Sequence, residues 1–220
     1  TTLNSSDIID GGAGSDTLIV NMTGSYGGSA RIKGIETLQL GSNVVAGAVN
    51  FDYNVNAGAN EVNDVNTVVY DQITKDETLN VINVTPTAKG GVIPTLVWAN
   101  ELNSVAGTIG VTYRQASIAG DASKPDNQNI VLKNVNNGQI NIARGIETIT
   151  IESAGDIAAN TLATSAGFDG FSADLVSEST TGNGVWDDST LTKVIVKGEK
   201  ALGVAATVNT NDVAGEAGYG

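Results

Sequence analysis

The 220-residue sequence contains no cysteine and no histidine. Without thiols there is neither a disulfide framework nor a thiolate nucleophile. Without imidazole, serine–histidine and cysteine–histidine machinery and histidine-ligated zinc are excluded. Proline occurs three times, and aromatic residues make up 5% of the chain. The first argues against a proline-rich linker, and the second requires a core built from Val, Ile, Leu and Ala. Basic residues are also few, 11 Lys+Arg against 24 Asp+Glu, for a net charge of −13. No basic stripe exists to neutralise phosphates, so nucleic acid is not an expected partner. No apolar run approaches the length that spans a bilayer, so membrane insertion is not expected either.

Glycine, by contrast, is abundant, with 27 residues in a chain of 22.4 kDa. That size suffices for a real core, and much glycine with little proline points to many tight turns between ordered strands. Strands are expected at Thr17 to Asn21, Arg31 to Leu40, Thr67 to Tyr70, Leu79 to Val84, Leu96 to Trp98 and Thr108 to Arg114, and a strand pair broken at Gly47 over Val44 to Val55. Further strands are expected at Ile130 to Lys133, Gln139 to Ile142, Lys193 to Lys197 and Leu202 to Val208, the runs being separated by Gly, Asn, Asp and Pro. Asp156 to Val176 is the exception, Ala-rich enough for a short helix. These features predict an all-β fold with little helix, either a β-solenoid of β-helix type or an irregular β-sandwich of short strands.

The phrase IKGIETLQL, from Ile32 to Leu40, recurs as IARGIETITI from Ile142 to Ile151. No fixed short period accompanies it, so it reads as a decayed repeat. Residues 1–220 read as one β-rich module, with a division into two degenerate repeats, 1–115 and 116–220, as the alternative. A chain beginning Thr-Thr and ending Gly-Tyr-Gly reads as a piece of something longer.

The stretch richest in chemistry is DGGAGSDTLIV, from Asp10 to Val20. Gly11, Gly12 and Gly14 permit positive φ angles and let backbone carbonyls converge. Asp7, Asp10 and Asp16 bring hard carboxylate oxygens to the same turn, and oxygen ligation at a tight glycine turn suits Ca²⁺. Asp16 is the expected principal ligand, Asp7 and Asp10 its helpers, with the carbonyls around Gly12 and Gly14 completing the shell. A second candidate lies in GNGVWDDSTL, where two glycines precede Asp187 and Asp188. Asp121, Asp126 and Asn129 supply further oxygens, although such residues also form ordinary turns. Glu36 and Glu147, fixed by the repeat, either reach back to the preceding rung to complete a calcium shell or stand exposed beside Arg31 and Arg144. The acid excess has two readings as well: bound cations relieve it, or it keeps an abundant extracellular protein soluble.

Gly11, Gly12, Gly14, Asp16 and Leu18 match the nonapeptide G-G-x-G-x-D-x-U-x, so the loop resembles the calcium repeat of RTX (repeats-in-toxin) proteins. The chain has one intact copy where tandem toxins stack many. An acid-and-glycine loop followed by strand, turn and GIET strand is similar to bacterial surface-layer proteins that carry RTX-type loops. That resemblance implies a Ca²⁺-rigidified, extracellular, cell-surface structural protein that self-associates into an array. An adhesin or filament subunit is the alternative, with an open sheet edge such as Val44 to Val55 accepting a neighbour's strand. Further copies of the chain and a cell-surface polysaccharide are the expected partners. Catalysis is not expected, since no paired-acid motif stands out and Trp98 and Trp186 are the only tryptophans for a carbohydrate platform.

Overall fold

A computed structural model of the chain describes residues 3, 7–27, 30–42, 47–53, 65–84, 93–113, 126–142, 146–163 and 193–204. The described residues form fifteen strands, beginning with β1 (Ile8–Asp10), β2 (Thr17–Met22), β3 (Arg31–Lys33), β4 (Thr37–Ser42), β5 (Gly47–Asp52), β6 (Thr67–Asp71), β7 (Glu77–Val84) and β8 (Thr95–Ala99). The series continues with β9 (Thr108–Tyr113), β10 (Asn127–Lys133), β11 (Gln139–Ile142), β12 (Thr148–Ala154), β13 (Ala159–Leu162), β14 (Lys193–Gly198) and β15 (Ala201–Val204). All pairings between them are parallel. Even-numbered strands stack into one seven-stranded sheet, β14-β12-β10-β8-β6-β4-β2. The odd-numbered β11-β9-β7-β5 form a second face, while β1-β3 and β13-β15 pair separately. The chain therefore winds as a parallel β-solenoid, laying one strand on each face per rung.

Alternation makes this possible. Along each strand one set of side chains turns inward and the other outward, as in β6 and β8, where buried residues alternate with half-buried ones. Leu18, Leu38, Val68, Leu96, Ile130, Ile151 and Val196 form one in-register column. Its interior members Leu38, Val68, Leu96, Ile130 and Ile151 are buried. Facing it, Val49, Leu79, Ile109 and Ile140 form the equivalent column of the second sheet. Tyr70 ties the two faces together by donating its hydroxyl to the Gly110 carbonyl at 2.7 Å. Burial of that hydroxyl holds Tyr70 above the ordinary phenol range. The core is thus mainly an aliphatic stack, with Phe51, Tyr70 and Trp98 fully buried within it.

The column also explains the missing period. Its successive members lie 20, 30, 28, 34, 21 and 45 residues apart along the chain. The stacked strands are regular, and the excursions between them are not.

Three expectations change. Arg31 to Leu40 is two strands rather than one, because Gly34 at φ +61° turns the chain between β3 and β4. The described part of Val44 to Val55 holds the strand β5, which begins at Gly47 and is not an open edge. It pairs with β7 on one side, and on the other Tyr26 N–H donates to Asn50 O at 2.8 Å while Asp52 N–H donates to Tyr26 O at 2.9 Å. The stretch from Asp156 begins with the strand β13 instead of a helix, since Asn160 and Leu162 turn inward against the preceding rungs. The remainder of that stretch, from 164, lies outside the described residues.

Candidate metal centre

The loop from Asp10 to Asp16 joins β1 to β2 and stacks on the corner between β3 and β4. Gly11 N–H donates to Lys33 O at 3.0 Å, seating the loop on the next rung. The approach is close enough that a methyl group on Gly11 would collide with the Gly34 carbonyl oxygen and lie 2.7 Å from Asp16 Cβ. Glycine is therefore required at position 11 for lack of space. At Gly14 the requirement is conformational, with φ at +140°.

The acids of the loop have different partners. Asp10 Oδ1 accepts Gly12 N–H at 3.1 Å, and its Oδ2 lies 2.7 Å from Lys33 Nζ. Lys33 beside it holds the Asp10 carboxyl below the usual carboxylate range, assisted by the Gly12 N–H and opposed by slight desolvation. Asp7 stands just before β1, where its carbonyl accepts Arg31 N–H at 2.9 Å. Asp16 donates its N–H to Glu36 Oε2 at 2.8 Å, and its carbonyl accepts the N–H groups of Glu36 at 3.1 Å and Thr37 at 3.0 Å. Its side chain is left over. Asp16 Oδ2 is buried and has no hydrogen-bond partner, and a Cβ placed on Gly14 would stand 3.7 Å from it.

A buried carboxylate oxygen without a partner is costly, and a hard cation is one means of satisfying it. The donor chemistry of Asp16 fits Ca²⁺: a buried carboxylate oxygen at a glycine turn, with no nitrogen or sulfur ligand in the loop's side chains. Asp10 fits less well, since both its oxygens are engaged. Among the described residues no three acidic side chains converge into a metal-binding group, so a cation here relies on Asp16 with main-chain oxygens. Asp187 and Asp188 lie outside the described residues, as does Asp121.

Glu36 does reach back to the preceding rung, as one of the two sequence readings has it, and its contact there is the Asp16 backbone. The second GIET phrase repeats this arrangement. Asp126 N–H donates to Glu147 Oε2 at 2.7 Å, while Asp126 O accepts Glu147 N–H at 3.2 Å and Thr148 N–H at 3.0 Å. Burial, with the Glu147 charge beside it, pushes the Asp126 carboxyl up. The sequence marked Glu147 through the repeat and named Asp126 only as a loop oxygen. Its role as the partner of Glu147 became visible once β10 and β12 were paired.

The two clasps are not at equivalent heights on the sheet. Leu38, which follows the first GIET, shares its column with Ile151, whereas the residue following the second is Ile149. The second clasp is displaced by one two-residue pleat. Local geometry has been kept while its place on the sheet has moved. The chain matches no protein-family model, no curated protein and no solved structure.

Proposed function

We propose that this chain is a calcium-stabilised structural module of a bacterial surface layer, extracellular and non-catalytic, which self-assembles through further copies of itself. The supporting observation is the unpartnered, buried Asp16 Oδ2 inside a loop that resembles the RTX calcium repeat. Asp16 and the carbonyls of Gly12 and Gly14 would hold the ion, and Asp7 stands close by in sequence. Asp10 joins the shell only on releasing Lys33. Calcium supplies the positive charge that lets an acid-rich loop close over Asp16, coupling metal binding to order in the first rung. A cell-surface polysaccharide is the proposed anchoring partner.

Calcium titration calorimetry on wild type and Asp16→Asn, with circular dichroism of the same samples, tests the reading. The amide keeps the shape and removes the anionic donor, so affinity is expected to fall roughly tenfold or more. Equal affinity in the two proteins defeats the ligand assignment. Sedimentation velocity with calcium and with excess chelator tests the assembly half, for which calcium-dependent association is expected.

A further inference from the structure

Among the described residues, the hydrophobic column of the seven-stranded sheet has no further strand beyond it at either end. Its interior members are at most 1% exposed, yet Val196 at the far end is 54% exposed, Val194 beside it is 37% exposed, and Leu18 at the near end is half-buried. Val194 and Val196 continue the columns of the fully buried Ile149 and Ile151, so they face inward, and among the described residues no rung lies above them. Among the described residues nothing pairs with the outer edge of β2 or β14. Asp16 O is turned toward β4. Strand alternation therefore directs the N–H and C=O groups of Thr17, Ile19 and Asn21 to the free edge. A flat edge with apolar neighbours is a template for another strand.

The ends are also opposite in charge. The first rung, 7–27, carries Asp7, Asp10 and Asp16 with no basic residue; the last described rung, 193–204, carries Lys193, Lys197 and Lys200 against Glu199 alone. A basic end is unexpected in a chain of net charge −13. The two edges match in length, β2 and β14 having six residues each.

We propose that these ends are the two halves of one interface, β14 of one copy pairing in parallel with β2 of the next. The pairing sets Val196 on Leu18, continuing the apolar column from copy to copy, and brings the lysine-bearing rung to the aspartate-bearing one. Such a contact is heterologous and does not close on itself, so it produces rows or filaments. This proposal rests on the self-assembly reading above and supplies its contact.

The test is sedimentation velocity with negative-stain microscopy on wild type, Ile19→Pro and Ile19→Thr in millimolar Ca²⁺. Ile19 is 62% exposed, and its N–H faces the free edge. Proline there removes the outward donor while sparing the hydrogen bonds to β4. Circular dichroism reports whether the variant folds. Lys193→Glu with Lys200→Glu, at the opposite end, is a second variant that leaves β2 untouched. Wild type and Ile19→Thr are expected to form rows, and Ile19→Pro to stay monomeric. The proline variant keeps a competent β14 edge, so a substoichiometric amount added to wild type shortens the rows. The double lysine variant is expected to weaken association roughly tenfold. Rows formed equally well by the lysine variant and by a folded Ile19→Pro place the interface elsewhere, overturning this proposal while leaving the array reading intact. If Ile19→Pro does not fold, the lysine variant alone decides. A wild type that stays monomeric at high micromolar concentration in calcium overturns both.

Discussion

Glu36 and Asp16 hold each other across one rung of the solenoid. The Glu36 carboxylate accepts Asp16 N–H at 2.8 Å, and Glu36 N–H returns a bond to Asp16 O at 3.1 Å. The exchange fixes the end of the glycine loop to the start of β4 and so orients the Asp16 side chain. Glu147 and Asp126 make the same exchange further along. In both places a carboxylate stands where an ordinary ladder has a carbonyl, which gives the rung a charge-assisted closure.

Removing that acceptor tests its contribution. Glu36→Ala leaves the Asp16 N–H without its charged partner and is expected to lower stability by about 1–3 kcal/mol. Glu36→Gln keeps an oxygen in place and is expected to lose less than about 1 kcal/mol. Urea unfolding of both variants in chelator reads the structural contribution alone. If Gln proves as damaging as Ala, the contact depends on charge rather than on the acceptor.

Gly11 makes a steric prediction. A Cβ on Gly11 would stand so close to the Gly34 carbonyl that Gly11→Ala must push two backbone segments apart. A loss of about 1–3 kcal/mol is expected, as for other overpacked sites. Gly24, around which a Cβ would meet nothing within 4 Å, is the control, and Gly24→Ala is expected to leave the melting temperature nearly unchanged. Comparable losses at both positions would show that the loop tolerates displacement and does not depend on close packing.

Asp126 and Asp10 predict opposite pH effects. Asp126 has a folded-state pKa raised by burial and by Glu147, so the fold favours its protonated form. Its favourable contribution is present at low pH and is lost as pH rises through the raised value. Asp126→Asn is therefore expected to gain stability at pH 7, by a few tenths to about 1 kcal/mol since the group is largely solvated. The gain shrinks below the usual carboxylate range. Asp10, held low by Lys33, contributes at neutral pH and loses that contribution as pH falls through its depressed value. Denaturation midpoints of wild type, Asp126→Asn and Asp10→Asn across the acid range separate the two signs; parallel curves for both variants would contradict them.

The strands were legible because their physics is local. β6, β8 and β9 each turn apolar residues inward at two-residue spacing, which Val68 with Tyr70, Leu96 with Trp98 and Ile109 with Val111 already announce. The rung spacing was not legible, since excursions ranging from 20 to 45 residues hide a constant stack. Gly34 looked like part of a strand phrase because neither its positive φ nor the Gly12 backbone, 3.0 Å from where a Cβ would stand, shows in the local sequence. The loop at Asp16 was marked by its glycines. That Asp10 would be taken by Lys33, 23 positions on, required the β1-β3 register that sets them opposite each other.

No motif or repeat marks Asn160, yet the fold makes it a junction. It is fully buried; Oδ1 accepts Val135 N–H at 2.7 Å, and Nδ2 faces Ser153 Oγ at 2.8 Å, Ala154 O at 2.9 Å and Leu132 O at 3.3 Å. One amide thereby joins β13 to the ends of β10 and β12, where the chain leaves one face of the solenoid for the next. Asn160→Ala strands a buried N–H and buried carbonyls, for an expected loss of about 2–4 kcal/mol. Asn160→Asp has nearly the same shape but presents an oxygen where Asn donates, opposite three oxygens. It is expected to be worse than Ala at pH 7, because a buried charge then meets only acceptors on that side. Burial and those acceptors raise the folded-state pKa of the new carboxyl. Its penalty should therefore diminish as pH falls through that value, when the group regains a proton to donate. Urea midpoints of the three proteins at neutral and acidic pH give the ordering, and an Asp variant as stable as wild type at pH 7 would mean that position 160 donates no hydrogen bond to this corner.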